Sequence, residues 1–208
     1  TTGQAYVAAL EEQLTQTDLS AAERVELTSQ LATVYYQIGG NEGLQANFQQ
    51  LLATPAAARS VMDSVLFGIV EPNTNRILPA RAQQYVTLAD AYGKAHPDAP
   101  ESPEQLYKAA EIARSIGAYQ RSLNLYSTIE NYFPKYEKAP KALFMQAFIQ
   151  TEDLKNEDEA RRLYELFLEK YPEDDFVDDA QMMLDNLGKT DEEIFQALEE
   201  KRKALEEQ

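Results

Sequence analysis

The stretch from Ser102 to Pro172 constrains this chain most, because one amphipathic helical hairpin can be read in it twice. The first copy spans Pro103 to Pro134. The second closes with Glu159-Ala-Arg-Arg-Leu-Tyr-Glu-Leu-Phe-Leu-Glu-Lys-Tyr-Pro172. At an offset of 38 positions, Ser122 overlies Ala160, Tyr126 overlies Tyr164, Ile129 overlies Phe167 and Phe133 overlies Tyr171. Self-similarity at such a period signifies stacked supersecondary units rather than one closed globule.

Proline punctuation carries the same count along the chain. Pro55, Pro97, Pro134 and Pro172 each follow an amphipathic stretch, at intervals of 42, 37 and 38 residues. A residue before proline is pushed out of the α region, so each marks a helix stop. The longer first interval is taken up by Glu71-Pro-Asn-Thr-Asn-Arg-Ile-Leu78, a run of turn-formers. Before it, Gly3 to Leu14 reads as a short helix, and Ser20-Ala-Ala-Glu23 is a capping box for a second that Gly39-Gly40 ends. Thr54-Pro55 reads as N-cap and first helical residue, and Pro79 starts a helix running through Tyr85 and Tyr92 to His96. After Pro172, Glu173-Asp174-Asp175 is expected to open a further helix. Thr190-Asp-Glu-Glu193 then caps a last helix bearing Ile194, Phe195, Leu198 and Leu205, expected to fray from Lys201 to Gln208.

Composition narrows the function classes. The net charge of −16, with no Lys/Arg cluster, argues against nucleic acid and anionic lipid as partners. With no cysteine, thiol catalysis, disulfides and thiolate zinc sites are out. No apolar run approaches the roughly 18 residues of a membrane span. The chain begins at Thr1 without Met, as would a mature form whose export signal or lipid anchor had been removed, or a boundary set otherwise.

Catalytic constellations do not assemble. His96 is the only histidine, so no triad, His-pair metal site or proton relay can be built on it, and its place is a helix C-terminus. Glu173, Asp174, Asp175, Asp178 and Asp179 are the densest acids, but they lack the spacing and glycine of a Ca²⁺ loop. No phosphate-cradling glycine loop, nucleophile elbow or His-Glu-x-x-His is present. The sequence therefore predicts a protein without enzyme activity, cofactor or metal.

Leu106, Ala110, Gly117, Tyr119, Ser122, Tyr126, Ile129 and Pro134 stand at signature spacings, and on them the chain resembles the tetratricopeptide repeat family. The resemblance implies an all-α, right-handed solenoid of about four hairpins plus terminal cap helices, as one domain over 1–208. Within it, 1–97 are degenerate repeats, 103–172 the clearest, and 173–208 a half repeat with a C-terminal cap helix. It places the closest helix contact at Ala110 and Ser122, the turn at Gly117, and Tyr126 between hairpins. The second copy departs by one residue, since Ala147 to Ala160 is 13 positions rather than 12. The Pro134…Ala139…Ala142 pattern is similar to bacterial cell-envelope members of the family, which suggests a periplasmic or envelope location.

Family geometry sets out the candidate binding residues: Glu104, Tyr107, Glu111 and Arg114 in one copy, and Lys141, Phe144, Phe148 and Thr151 in the next. These would form a concave face for a protein or peptide segment. They lack the Lys, Arg and Asn set with which some relatives grip a free carboxylate. Two further readings stay open. One is a sugar, lipid or peptidoglycan-fragment site closed by the 71–78 loop with Tyr85 and Tyr92. The other is a self-assembling structural subunit.

Overall fold

The computed structural model describes residues 2–190, 192–196, 199 and 202. Leu198, Leu205, Lys201 and the final residues expected to fray lie outside them, apart from Arg202. The described chain is all-α, with one isolated antiparallel bridge between Val70 and Ile77. It divides after Leu125 into two compact units.

The first unit begins with α1 (Thr2–Leu14), α2 (Ala21–Ile38) and α3 (Asn41–Leu51). Val7 and Leu10 of α1 meet Leu31 and Val34 of α2. The capping box expected at Ser20 is formed: its Oγ accepts from the Glu23 amide at 3.2 Å, and Glu23 accepts from the Ser20 amide at 2.9 Å. Gly39 ends α2 in the left-handed region at φ 77°. The second hairpin is α4 (Pro55–Phe67) and α5 (Pro79–Ala95), each opening on a proline whose missing N–H has no helical partner to lose. Both of its helices lie on the hairpin formed by α2 and α3, α4 on α2 and α5 on α3. Its long inner turn is an ordered structure. Glu71 donates its amide to Arg76 at 2.9 Å, Leu78 to Ile69 at 2.7 Å, and Asn75 takes φ 54°.

Helix α6 (Ser102–Ser115) packs on α5, and α7 (Tyr119–Tyr132) starts in this unit and continues beyond it. A β-carbon at Gly93 would lie 2.8 Å from three Leu106 side-chain atoms, so any side chain there would have to displace Leu106. The small-residue contact expected at Ala110 and Ser122 is there: both are fully buried, and the Ser122 hydroxyl donates to the Ala110 carbonyl at 2.8 Å. Asp90, 8% exposed, accepts from both Lys94 and Arg121 at 2.8 Å, tying α5 to α7.

In the second unit α8 (Ala139–Glu152) pairs with α9 (Glu157–Lys170), and α10 (Val177–Asn186) packs on α9. Helix α10 begins later than expected. Glu173 to Asp175 form the turn before it, where the Asp174 carboxylate accepts the Phe176 amide at 3.0 Å. Such local side-chain bonding is how aspartate competes with helix at an N-terminus.

Helices α6, α7, α8 and α9 are each 14 residues long. The additional residue of the second copy falls in the turn, which is 116–118 in one and 153–156 in the other. Gly117 serves the first turn at φ 76°, while Lys155 takes the left-handed conformation at φ 53° in the second. Helices α5, α7 and α9 stop at Ala95, Tyr132 and Lys170, each two residues before its proline.

Candidate functional site

A groove of about 770 Å³ runs between α2 and α4 and is bounded at one end by Gln105 of α6. A smaller hollow of about 460 Å³ shares Thr33, Gln37, Ser60 and Ser64 with it and extends along both helices to Tyr6 of α1. On α2 the lining positions include 26, 29, 33 and 37, and on α4 they include 56, 60, 64 and 67. Steps of three and four hold them on one face of each helix.

The walls carry small polar groups instead of the large apolar residues found between α2 and α1. Ser29 and Thr33 donate their hydroxyls back to the Val25 and Ser29 carbonyls at 2.8 and 2.9 Å, and Ser64 donates to Ser60 at 3.0 Å. Their protons are thus committed to the helices, and oxygen lone pairs face the groove. Tyr36 bridges the walls: its ring is buried and its hydroxyl donates to the Val65 carbonyl at 3.1 Å. Burial pushes that hydroxyl's pKa up, against the nearby Arg81 guanidinium, which lies 5.3 Å above the ring. Beside it, a β-carbon at Gly68 would fall 2.1 Å from the Tyr36 oxygen. Phe67, one residue earlier, is 91% exposed.

Two fully buried tyrosines support the Gln105 end. Tyr85 donates to Gln105 at 2.8 Å, and Tyr92 donates to Glu101 at 3.0 Å. Glu101 also pairs with Arg59 at 3.3 Å. Its own backbone amide, the Tyr92 hydroxyl and Arg59 hold its carboxyl below the usual range. Burial, then the bond to Glu101, pushes Tyr92 up to about 12. Tyr85 is raised by burial first and then by the charges of Asp63 and Glu104.

The residues expected from family geometry divide by exposure. Glu111 is exposed; Glu104 and Arg114 are half-buried, with Glu104 facing Lys108 at 3.6 Å. Tyr107 is 3% exposed, which corrects its expected place on an open face. In the second unit, Phe144 is likewise core, 7% exposed, with Phe148, Tyr164, Phe167 and Phe176 around it at ring distances of 5.1–6.3 Å. Phe148 is half-buried against it, and Lys141 lies 5.6 Å over the Phe176 ring. Thr151 donates to the Ala147 carbonyl at 3.1 Å. Aromatics at helical spacing have gone to packing: Tyr126, Tyr164 and Phe167 are fully buried. Tyr85 and Tyr92 cannot close a pocket with the 71–78 loop, because neither ring has an open face.

His96 caps the end of α5, its ring 4.7 Å from Tyr92. Among the described residues no group of His, Cys, Asp or Glu could hold a metal ion, and no helix is long and apolar enough to cross a membrane. The α2–α4 groove was missed from the sequence. Its signal was the hydroxyl and amide series Ser29, Thr33, Gln37 beside Ser60 and Ser64, at one-turn spacing where a buried helix pair would carry aliphatics. No family model matches the chain, and no curated protein matches it.

Proposed function

We propose that the chain is a non-enzymatic scaffold of tetratricopeptide type that receives a protein or peptide segment in the groove between α2 and α4. The observation that carries this reading is Phe67, 91% exposed at the rim of an open groove whose walls offer hydroxyl and amide groups. An isolated exposed apolar residue is ordinary, but an aromatic beside a concave polar cleft is the arrangement of an anchor with surrounding hydrogen-bond partners. The stacking of α4 on α2 and α5 on α3, with the repeated 14-residue helices further along, supports a solenoid. The proline and alanine pattern after α7 suggests an envelope setting.

The test is capture from a bacterial envelope extract with the intact protein and with a Ser60→Arg/Phe67→Ala variant. Both positions are exposed, so the variant keeps its thermal transition. A partner retained by the parent and lost by the variant supports the scaffold. Equal retention by both refutes this groove as its seat.

A further inference from the structure

The polarity of the groove has a sign. Ser29, Thr33 and Ser64 have spent their protons on helix carbonyls and present only acceptors. Asp63 of α4 lines the groove, is exposed, and has no ion-pair partner among the described residues. Glu26 lines the adjoining hollow with Gln30 donating to it at 2.9 Å. The cation in these walls, Arg59, faces Glu101 at 3.3 Å. A chain of net charge −16 adds a long-range field of the same sign.

Spacing supplies the second constraint. Asp63 and Phe67 are four residues apart on α4, which puts their β-carbons about 5–6 Å apart on one face. An extended chain rises about 3.3 Å per residue and repeats its side-chain direction every second residue, so positions i and i+2 lie about 6.6 Å apart. One charged and one apolar side chain, two positions apart, span a slightly longer interval, which a flexible Lys or Arg side chain takes up.

Resting on the groove's proposed role as a peptide seat, we infer that it selects a cationic extended segment. That segment carries a Lys or Arg placed on Asp63 and an apolar residue two positions away placed on Phe67. The Ser29 and Thr33 oxygens of α2 take the segment's backbone N–H groups, while an acidic segment meets the Asp63 and Glu26 carboxylates and is turned away. This occupant contrasts with a free C-terminal carboxylate, which the groove's acceptors would repel.

Fluorescence anisotropy on the intact protein tests this with acetylated, amidated peptides containing Lys-x-Leu, Glu-x-Leu or Lys-x-Ser in an otherwise neutral sequence. Lys-x-Leu should bind about tenfold more tightly than Glu-x-Leu, with the difference shrinking as salt is added. Asp63→Asn should weaken Lys-x-Leu about fivefold and leave Glu-x-Leu no weaker, as for one exposed ion pair. Phe67→Ala should bring Lys-x-Leu down to the level of Lys-x-Ser. Equal binding of the Lys and Glu peptides, an unresponsive Asp63→Asn variant, or no binding of any peptide overturns the inference. If partner capture is lost in the Ser60→Arg/Phe67→Ala variant while peptide charge has no effect, the scaffold stands and only its charge selectivity falls. If Lys-x-Leu depends on Asp63 while capture is indifferent to the groove variant, the selectivity stands and the groove falls as the seat of the captured partner.

Discussion

Replacing Lys155 by glycine should stabilise the protein, although it removes a side chain and an ion pair. Lys155 holds φ 53° in the turn between α8 and α9. For an L-residue the left-handed conformation costs about 1–2 kcal/mol, because Cβ approaches the following carbonyl oxygen. Glycine removes that strain, but its wider freedom in the unfolded chain offsets about 0.5–1 kcal/mol of the gain. The ion pair lost is Lys155 with Glu152 at 3.5 Å, whose lysine side chain is 73% exposed, so it contributes a few tenths of a kcal/mol at most. The net gain is about 0.5 kcal/mol. With a urea slope of about 2 kcal/mol/M, the midpoint rises by about 0.3 M at unchanged slope. Gly117→Ala is the reciprocal change, at φ 76° in the equivalent turn of the first copy. A β-carbon there meets nothing within 4 Å, so in the folded state it adds backbone strain alone, offset in part by alanine's narrower freedom in the unfolded chain. It should lose about 1 kcal/mol and lower the midpoint by about 0.5 M. A lowered midpoint for Lys155→Gly, or an unchanged one for Gly117→Ala, would refute the equivalence of the two turns.

Asp90→Asn should cost about 1–3 kcal/mol in urea titration, since it withdraws the buried charge facing Arg121 while the Arg121 side chain remains two-thirds covered; a change under about 0.5 kcal/mol would show that the α5–α7 tie is not electrostatic. Alkaline unfolding should set in above pH 10 and progress through about pH 12. Tyr92 is neutral in the fold up to about 12, whereas in the unfolded chain it ionises near 10, so the unfolded state sheds its proton first and stability falls as pH rises across that window. Tyrosinate absorbance followed beside circular dichroism checks this, and release of all tyrosine protons before any loss of helix would contradict it.

Much of the local architecture was written in single residues. Ser20 with Glu23, Gly39, Pro55, Pro79, Gly117 and the prolines after α5, α7 and α9 each act through their own backbone and a neighbour within four positions. Such signals need no knowledge of tertiary structure. The extra residue of the second copy, between Ala147 and Ala160, was legible in the same way. The start of α10 was not, because the acidic run favours both a first helical turn and an Asp-capped turn ahead of it, and Phe176 docking beside Phe144 selects the latter. The candidate site failed for a related reason. Tyr107 and Phe144 lie at positions where helical periodicity alone allows either an open face or a core, and the neighbours that bury Phe144 come from α9 and the turn before α10. The groove on α2 and α4 stands where the repeat is faintest, and its hydroxyl stripe carries no apolar period to mark it.

The approach of Gly93 to Leu106 sets a limit on how this protein can change. Two helices have been brought so near that one position has no side chain at all and the other fills the room thereby left. Neither residue can drift by itself. A larger residue at 93 requires a smaller one at 106, and a smaller one at 106 leaves a void unless 93 grows to meet it. The two positions therefore hold a single shared volume, and the sequence can explore that volume only in paired steps.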